Sequence, residues 1–112
     1  MRVMRVRSFE LTNVADTDLR NLHDYLLEVG GFEFRAGGAG FFVLVGERFM
    51  AASGATHTQV IMASRESDTI SVDVVASGGS ASQGDGQLSL VQRSTELLRG
   101  FAERSDVQIA DI

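Results

Sequence analysis

A glycine- and serine-rich stretch between a strand-like run and a helix-like run contains the residues best suited to holding an anion. Residues 77–86 read SGGSASQGDG. A glycine-rich turn that leads into a helix directs backbone N–H groups towards a bound anion, which the positive end of the helix dipole also favours. Ser77, Gly78 and Gly79 at the entrance of this loop are therefore candidate ligand-binding residues for a small anionic ligand such as phosphate.

The known phosphate-binding motifs, however, are incomplete in this loop. Residues 79–84 have the glycine spacing of a P-loop, but Asp85 and Gly86 stand where that motif requires Lys and Ser or Thr. The carboxylate of Asp85 would repel an anion, and the G-x-G-x-x-G dinucleotide pattern is absent. The sequence therefore favours a strand-to-helix connection over an anion site.

Metal, thiol and hydrolase chemistry find little support. His23 and His57 are far apart in sequence, and neither has neighbours that supply the three or four ligands of a mononuclear site. The chain has no cysteine, and no G-x-S-x-G elbow surrounds any of its serines. We therefore expect no metal and no cofactor, and we assign no catalytic residue.

A charged pair follows the most apolar run of the chain. Glu47 and Arg48 come directly after residues 41–45 (FFVLV). Such a pair is typical of a strand end that carries a weak surface ion pair. The alternative places Glu47 or Arg48 at the rim of a pocket or an interface, so both are further candidate binding residues.

Length and charge restrict the class of protein. With 112 residues, the chain is expected to form one domain spanning 1–112. Its net charge of −5 argues against nucleic acid as a partner, because that affinity depends on clustered basic residues. No apolar run reaches the roughly 20 residues of a membrane span or the length of a signal peptide, so we expect no membrane association and a cytoplasmic location.

The first helix is the clearest local prediction. Apolar residues recur at spacings of three and four over residues 17–29, as on one face of a helix: Leu19, Leu22, Leu26 and Val29. Three residues suited to capping its N-terminus lie just before or at its start: Asn13, Asp16 and Thr17. Gly30 and Gly31 then supply a left-handed C-terminal stop.

The rest of the chain reads as strands, a second helix and a tail. Strand-like runs cover residues 2–11, 32–36, 41–50, 56–64 and 69–76, and residues 87–104 carry a second helical stripe. Residues 106–112 are either a short strand or a frayed tail. Short connections require antiparallel neighbours. The predicted fold is α+β in two layers, with an antiparallel sheet of 4–6 strands, two helices on one face and the order β-α-β-β-β-β-α, with a minimal helix-grip as one version.

The run at residues 41–45 is apolar on both faces of its strand. Helices on one side of a two-layer domain cover only one of these faces. The second face, to which Phe42 and Leu44 are assigned, is then a homodimer interface, an apolar pocket inside a curved sheet, or a partly covered central strand. We take Phe42 and Leu44 as the candidate interface residues.

Two segments resemble a small bacterial family of α+β domains whose function is unknown. Residues 43–50 (VLVGERFM), followed by Ser53, resemble a strand end of that family, and residues 72–79 (VDVVASGG) resemble its strand that ends in Ser-Gly-Gly. The resemblance covers residues 43–86. It implies a recurrent strand–loop–helix core with Glu47 and Ser77 to Gly79 as residues of interest, and it implies no activity.

These patterns lead to three hypotheses about function. The first is a non-enzymatic, homo-oligomeric binding or interaction domain, most simply a homodimer. The second is a module that binds a small ligand or phosphate through residues 77–86 and the following helix N-terminus. The third is an enzyme with an unrecognised site.

Overall fold

A computed structural model describes residues 4–51, 54–78 and 84–112. The elements follow one another as β1 (Met4–Thr12), α1 (Asp18–Gly30), β2 (Phe34–Gly38), β3 (Phe41–Met50), β4 (Ala55–Glu66), β5 (Thr69–Ser77), α2 (Gly84–Ser105) and β6 (Gln108–Asp111). The predicted α+β class is confirmed, and residues 108–111 form a strand.

All six strands belong to one antiparallel sheet in the order β2-β3-β4-β5-β1-β6. Strands β2 to β5 form a meander because only short turns connect them. Strand β1 then pairs with β5 on one side and with β6 on the other. The first and last described strands therefore lie side by side, and β2 and β6 form the two edges of the sheet.

Helix α1 ends as the sequence predicts but begins with a different contact. Gly31 adopts the left-handed conformation (φ 71°) that ends the helix. Thr17 occupies the N-cap position without a side-chain hydrogen bond. Instead the backbone N–H of Ala15 donates to the Asp18 carboxylate at 2.6 Å. The negative charge of this residue in the first turn also interacts favourably with the positive end of the helix dipole.

The core lies between one face of the sheet and the two helices. Leu44, Ile61 and Val74 lie side by side on that face and are fully buried, as is Phe9 of β1. Leu22 and Leu26 from α1 and Leu90 and Leu98 from α2 complete the cluster. The helices therefore cover a single face, and no described element lies over the other, which we call the open face.

Buried polar contacts fasten α2 to the sheet. Gln59 of β4 donates a hydrogen bond to the Ser94 hydroxyl of α2, and both side chains are buried. Arg7 of β1 donates a hydrogen bond to the Thr95 hydroxyl of α2 at 3.4 Å.

No helix among residues 4–51, 54–78 and 84–112 is long and apolar enough to cross a bilayer.

Candidate functional site: the open face of the sheet

The two apolar faces of β3 are real, but their assignment differs from the sequence prediction. Phe42 and Leu44 are 4% and 0% exposed and belong to the core beneath the helices. The open face instead presents Phe41, Val43 and Val45. The sequence could not decide between the two sets, because both are apolar and the choice depends on which side the helices pack.

An apolar row crosses five strands of the open face. In the sheet register, neighbouring residues lie directly opposite one another on the same face. The row runs from the edge strand β2 to β1 and contains Phe34, Val45, Val60, Val75 and Val6. Phe34 is 59% exposed and Val6 is 56% exposed, so both ends of the row are open to solvent.

More large apolar side chains flank this row. Phe41, Phe49 and Met62 are exposed on the same face, and Val43 lies directly opposite Met62. Contiguous exposed apolar area of this kind is uncommon on a monomeric protein and marks an interaction surface. The open face therefore has the composition of an interface.

Charges are divided unequally between the two faces. The described strands carry five arginines, and the cross-strand partner of each shows that it lies on the helix-covered face: Arg5, Arg7, Arg35, Arg48 and Arg65. The ionisable side chains at open-face positions of these strands are all acidic: Glu10, Glu47, Glu66 and Asp73. Asp73 accepts a 2.6 Å hydrogen bond from the Ser8 hydroxyl, which lowers the cost of bringing it close to an apolar surface.

Glu47 and Arg48 lie on opposite faces, so they do not act as a pair. Glu47 is exposed on the open face. Arg48 points to the helix side and donates to the carbonyl of Gly30 at 3.1 Å, and Arg93 of α2 donates to the same carbonyl at 3.3 Å. The two arginines thus satisfy the C-terminal carbonyl groups of α1, where cations are favoured. Desolvation, with a smaller contribution from the charge of Arg48, lowers the pKa of Arg93 from its usual value.

The entrance of the glycine loop lies beside the open face. Ser77 lies opposite Thr58, and Thr58 lies opposite Glu47, so the three residues form one cross-strand row. Gly78 has φ 101° and packs against β4, where an added Cβ would lie 3.1 Å from the Thr56 carbonyl oxygen. Its own carbonyl accepts a 2.7 Å hydrogen bond from Gln87. Gly79 lies outside the described residues.

Neither histidine belongs to a metal-binding cluster of described residues. The ring of His23 packs edge-on against Phe42 at 5.3 Å and contacts the Asp24 carboxylate at 3.0 Å. His57 is fully buried on β4. Within the described ranges, no three His, Asp or Glu side chains form a group able to hold a metal ion.

Sequence reasoning missed the buried pair of Gln59 and Ser94. Gln59 lies two and four residues before Ile61 and Ala63, so it shares a strand face with them, which is the one local signal that it faces the core. Its partner lies 35 residues away, so no local pattern connects them.

Comparison of the chain with protein-family models, with curated proteins and with solved structures finds no match.

Proposed function

We propose that this chain is a non-enzymatic interaction domain that forms a homodimer by stacking the open faces of two sheets. The observation that carries the proposal is the five-strand row from Phe34 to Val6. Its apolar side chains have no cover among the described elements, and two sheets pack face to face at about 10 Å through such side chains.

The size of the open face suits a second copy of the chain. Five strands about 4.8 Å apart, with about seven residues each at 3.3 Å, make a face of roughly 550 Å² in projection. The accessible area exceeds the projection because side chains stand out from the sheet. A stable interface buries on the order of 800 Å² per partner, so full stacking of two copies approaches what a dimer needs.

The acidic residues of the open face make the salt dependence of binding differ between a second copy of the chain and a basic partner. Two stacked open faces bring like charges such as Glu10 and Glu47 onto one interface, and added salt screens their repulsion. A basic partner would instead lose attraction as salt rises. Self-association through this face is therefore expected to strengthen at higher ionic strength.

The finer architecture belongs to the same proposal. The 22-residue helix α2 packs against β1, β4, β5 and β6, as the last helix does in a minimal helix-grip. We also retain the resemblance to the bacterial α+β family as part of the proposal. It supports the strand–loop–helix core of β5 and α2 and contributes no activity.

Sedimentation equilibrium of the wild type and two matched variants tests the proposal. Val60 occupies the centre of the apolar row, so Val60→Asp buries an unpaired carboxylate in the dimer and is expected to yield a monomer. Leu88→Asp introduces the same charge at an apolar residue of α2 that is 39% exposed, and it is expected to leave the dimer intact.

The proposal fails under two results. One is a wild-type mass equal to the monomer at tens of micromolar protein. The other is equal dissociation in both variants, which would mean that added negative charge, rather than the open face, controls assembly. Circular dichroism of both variants confirms that each remains folded.

A further inference from the structure

A concave surface lies where the start of α1 meets the β2–β3 hairpin. Residues from the start of α1, from β2 and from the β2–β3 turn line a cleft of about 690 Å³. This volume is in the range of small-molecule sites, which are about 300–1,000 Å³.

Two of the arginines in the cleft have no partner in the described part of the chain. Arg65 is held by the Asp16 carboxylate at 2.9 Å and by the Ser67 carbonyl at 2.8 Å. Arg20 on α1 and Arg35 on β2 make no such hydrogen bond or ion pair. Both line the cleft, Arg20 from α1 and Arg35 from β2.

The acidic groups of the cleft, in contrast, have cationic or polar contacts. Asp16 is paired with Arg65, and Asp24 contacts the His23 ring. The cleft lining has three arginines and two aspartates, so with a neutral His23 its formal charge is positive, although the whole chain carries −5. At physiological ionic strength, charges more than about 8 Å away are largely screened, so the nearby arginines dominate the local potential.

The floor of the cleft is apolar and aromatic. Leu19, Phe41 and Phe42 line it. Phe42 is almost fully buried beneath the edge-on ring of His23, so Leu19 and the 48% exposed Phe41 offer the accessible apolar surface. A flat apolar group gains free energy by covering such a surface. Arginine, in turn, offers a planar set of donors that matches carboxylate and phosphate oxygens.

We propose that this cleft binds a small organic anion, a carboxylate or phosphate ester attached to a flat apolar body. Arg20 and Arg35 hold the anionic group between α1 and β2. The apolar body covers Leu19 and the exposed part of Phe41. The two arginines lie on the helix side of the sheet, whereas Phe41 belongs to the open face and also borders the cleft, so binding is tested in a monomeric variant as well.

Titration of the ¹⁵N-labelled chain, monitored through its amide resonances, tests this site. Phenyl phosphate and benzoate are the probes, with inorganic phosphate to test the anion alone and phenol to test the ring alone. Phenyl phosphate or benzoate is expected to shift the amides of Gly37, Gly38 and Gly40 saturably. Phosphate and phenol are each expected to bind at least about tenfold more weakly.

Variants at the two arginines separate a site from general charge attraction. Arg20→Gln and Arg35→Gln are each expected to weaken phenyl phosphate or benzoate about tenfold. Arg99→Gln, which removes the same charge from the exposed surface of α2, is expected to leave binding unchanged. Repeating the titration in Val60→Asp keeps the result independent of dimerisation.

Three results would overturn the proposal. The first is the absence of saturable shifts at Gly37, Gly38 and Gly40 with either aromatic anion. The second is an equal loss of affinity in Arg99→Gln. The third is equal affinity for inorganic phosphate and phenyl phosphate, which would show that the apolar floor contributes nothing.

Discussion

The two faces of the sheet are built from the same kinds of residue but differ in what covers them. On β3, β4 and β5 the covered face places Leu44, Ile61 and Val74 side by side, all fully buried. In the adjacent cross-strand row, the open face places Val45, Val60 and Val75 side by side. Apolar alternation thus specifies two surfaces, of which the described elements cover one.

Charge reinforces the difference between the faces. Arginines accompany the covered face, where Arg48 and Arg93 bind the end of α1 and Arg7 reaches Asp111 and Thr95. The open face has acids such as Glu10 and Glu47 at its margins. The covered face is therefore expected to govern folding stability, and the open face is expected to govern association.

The largest expected effect is on the covered face. Leu44→Ala removes a fully buried side chain and is expected to lower the free energy of unfolding by about 2–5 kcal/mol. Val45→Ala, one residue along, is expected to cost less than about 1.5 kcal/mol. Urea unfolding in the Val60→Asp background checks this without a contribution from dimerisation. Equal losses at both positions would remove the distinction between the faces.

The next effect concerns the bond that holds α2 on the covered face. Ser94→Ala leaves the buried amide of Gln59 without its acceptor and is expected to cost about 1–3 kcal/mol. Replacing both residues, as Gln59→Met with Ser94→Ala, is expected to recover part of that loss. A double-mutant cycle by chemical unfolding measures the coupling. Additive losses would mean that the pair contributes no interaction free energy.

A smaller effect is expected where α1 is fastened to the sheet. Arg48→Met keeps much of the side-chain volume but removes a donor to the Gly30 carbonyl, so we expect a loss of about 0.5–1.5 kcal/mol. Arg35→Met, whose arginine has no such bond, serves as the control. Thermal unfolding compares the two variants. A control that loses as much stability as Arg48→Met would rule out a specific role for the Arg48 contact.

The smallest effect is the salt dependence of the open face. Raising the salt concentration from 50 to 500 mM is expected to tighten the dimer a few-fold, because it screens the acidic residues that stacking brings together. Sedimentation velocity over a dilution series measures the dissociation constant. Weaker association at high salt would indicate attraction between opposite charges and would contradict this account.

Local signals predicted much of the fold. The leucine spacing and the Gly30-Gly31 pair placed α1 within one residue at each end, because a helix stripe and its left-handed stop are both local. Strand β2 was predicted two residues early. Its bounds are set by pairing with β3, in which Phe34 lies opposite Val45, and the sequence of β2 alone does not contain that register.

The candidate site was harder to predict than the fold. The sequence showed that both faces of β3 are apolar. Phe42 and Leu44, which the sequence analysis took as interface residues, instead lie in the chain's own core. The identity of the open face depends on helix packing, which is a tertiary property that strand periodicity does not encode. The cleft beside Arg20 and Arg35 was missed for the same reason, since its walls come from α1 and β2.

The most direct test of the central claim is an isotope-filtered NOE experiment on a mixture of ¹³C-labelled and unlabelled chains, because it reports contacts between copies residue by residue. We predict intermolecular NOEs at the methyl groups of Val45, Val60 and Val75 and none at those of Leu44, Ile61 and Val74. Intermolecular NOEs confined to α1 or α2, or none at protein concentrations of hundreds of micromolar, would contradict the claim that the open face is where two copies meet.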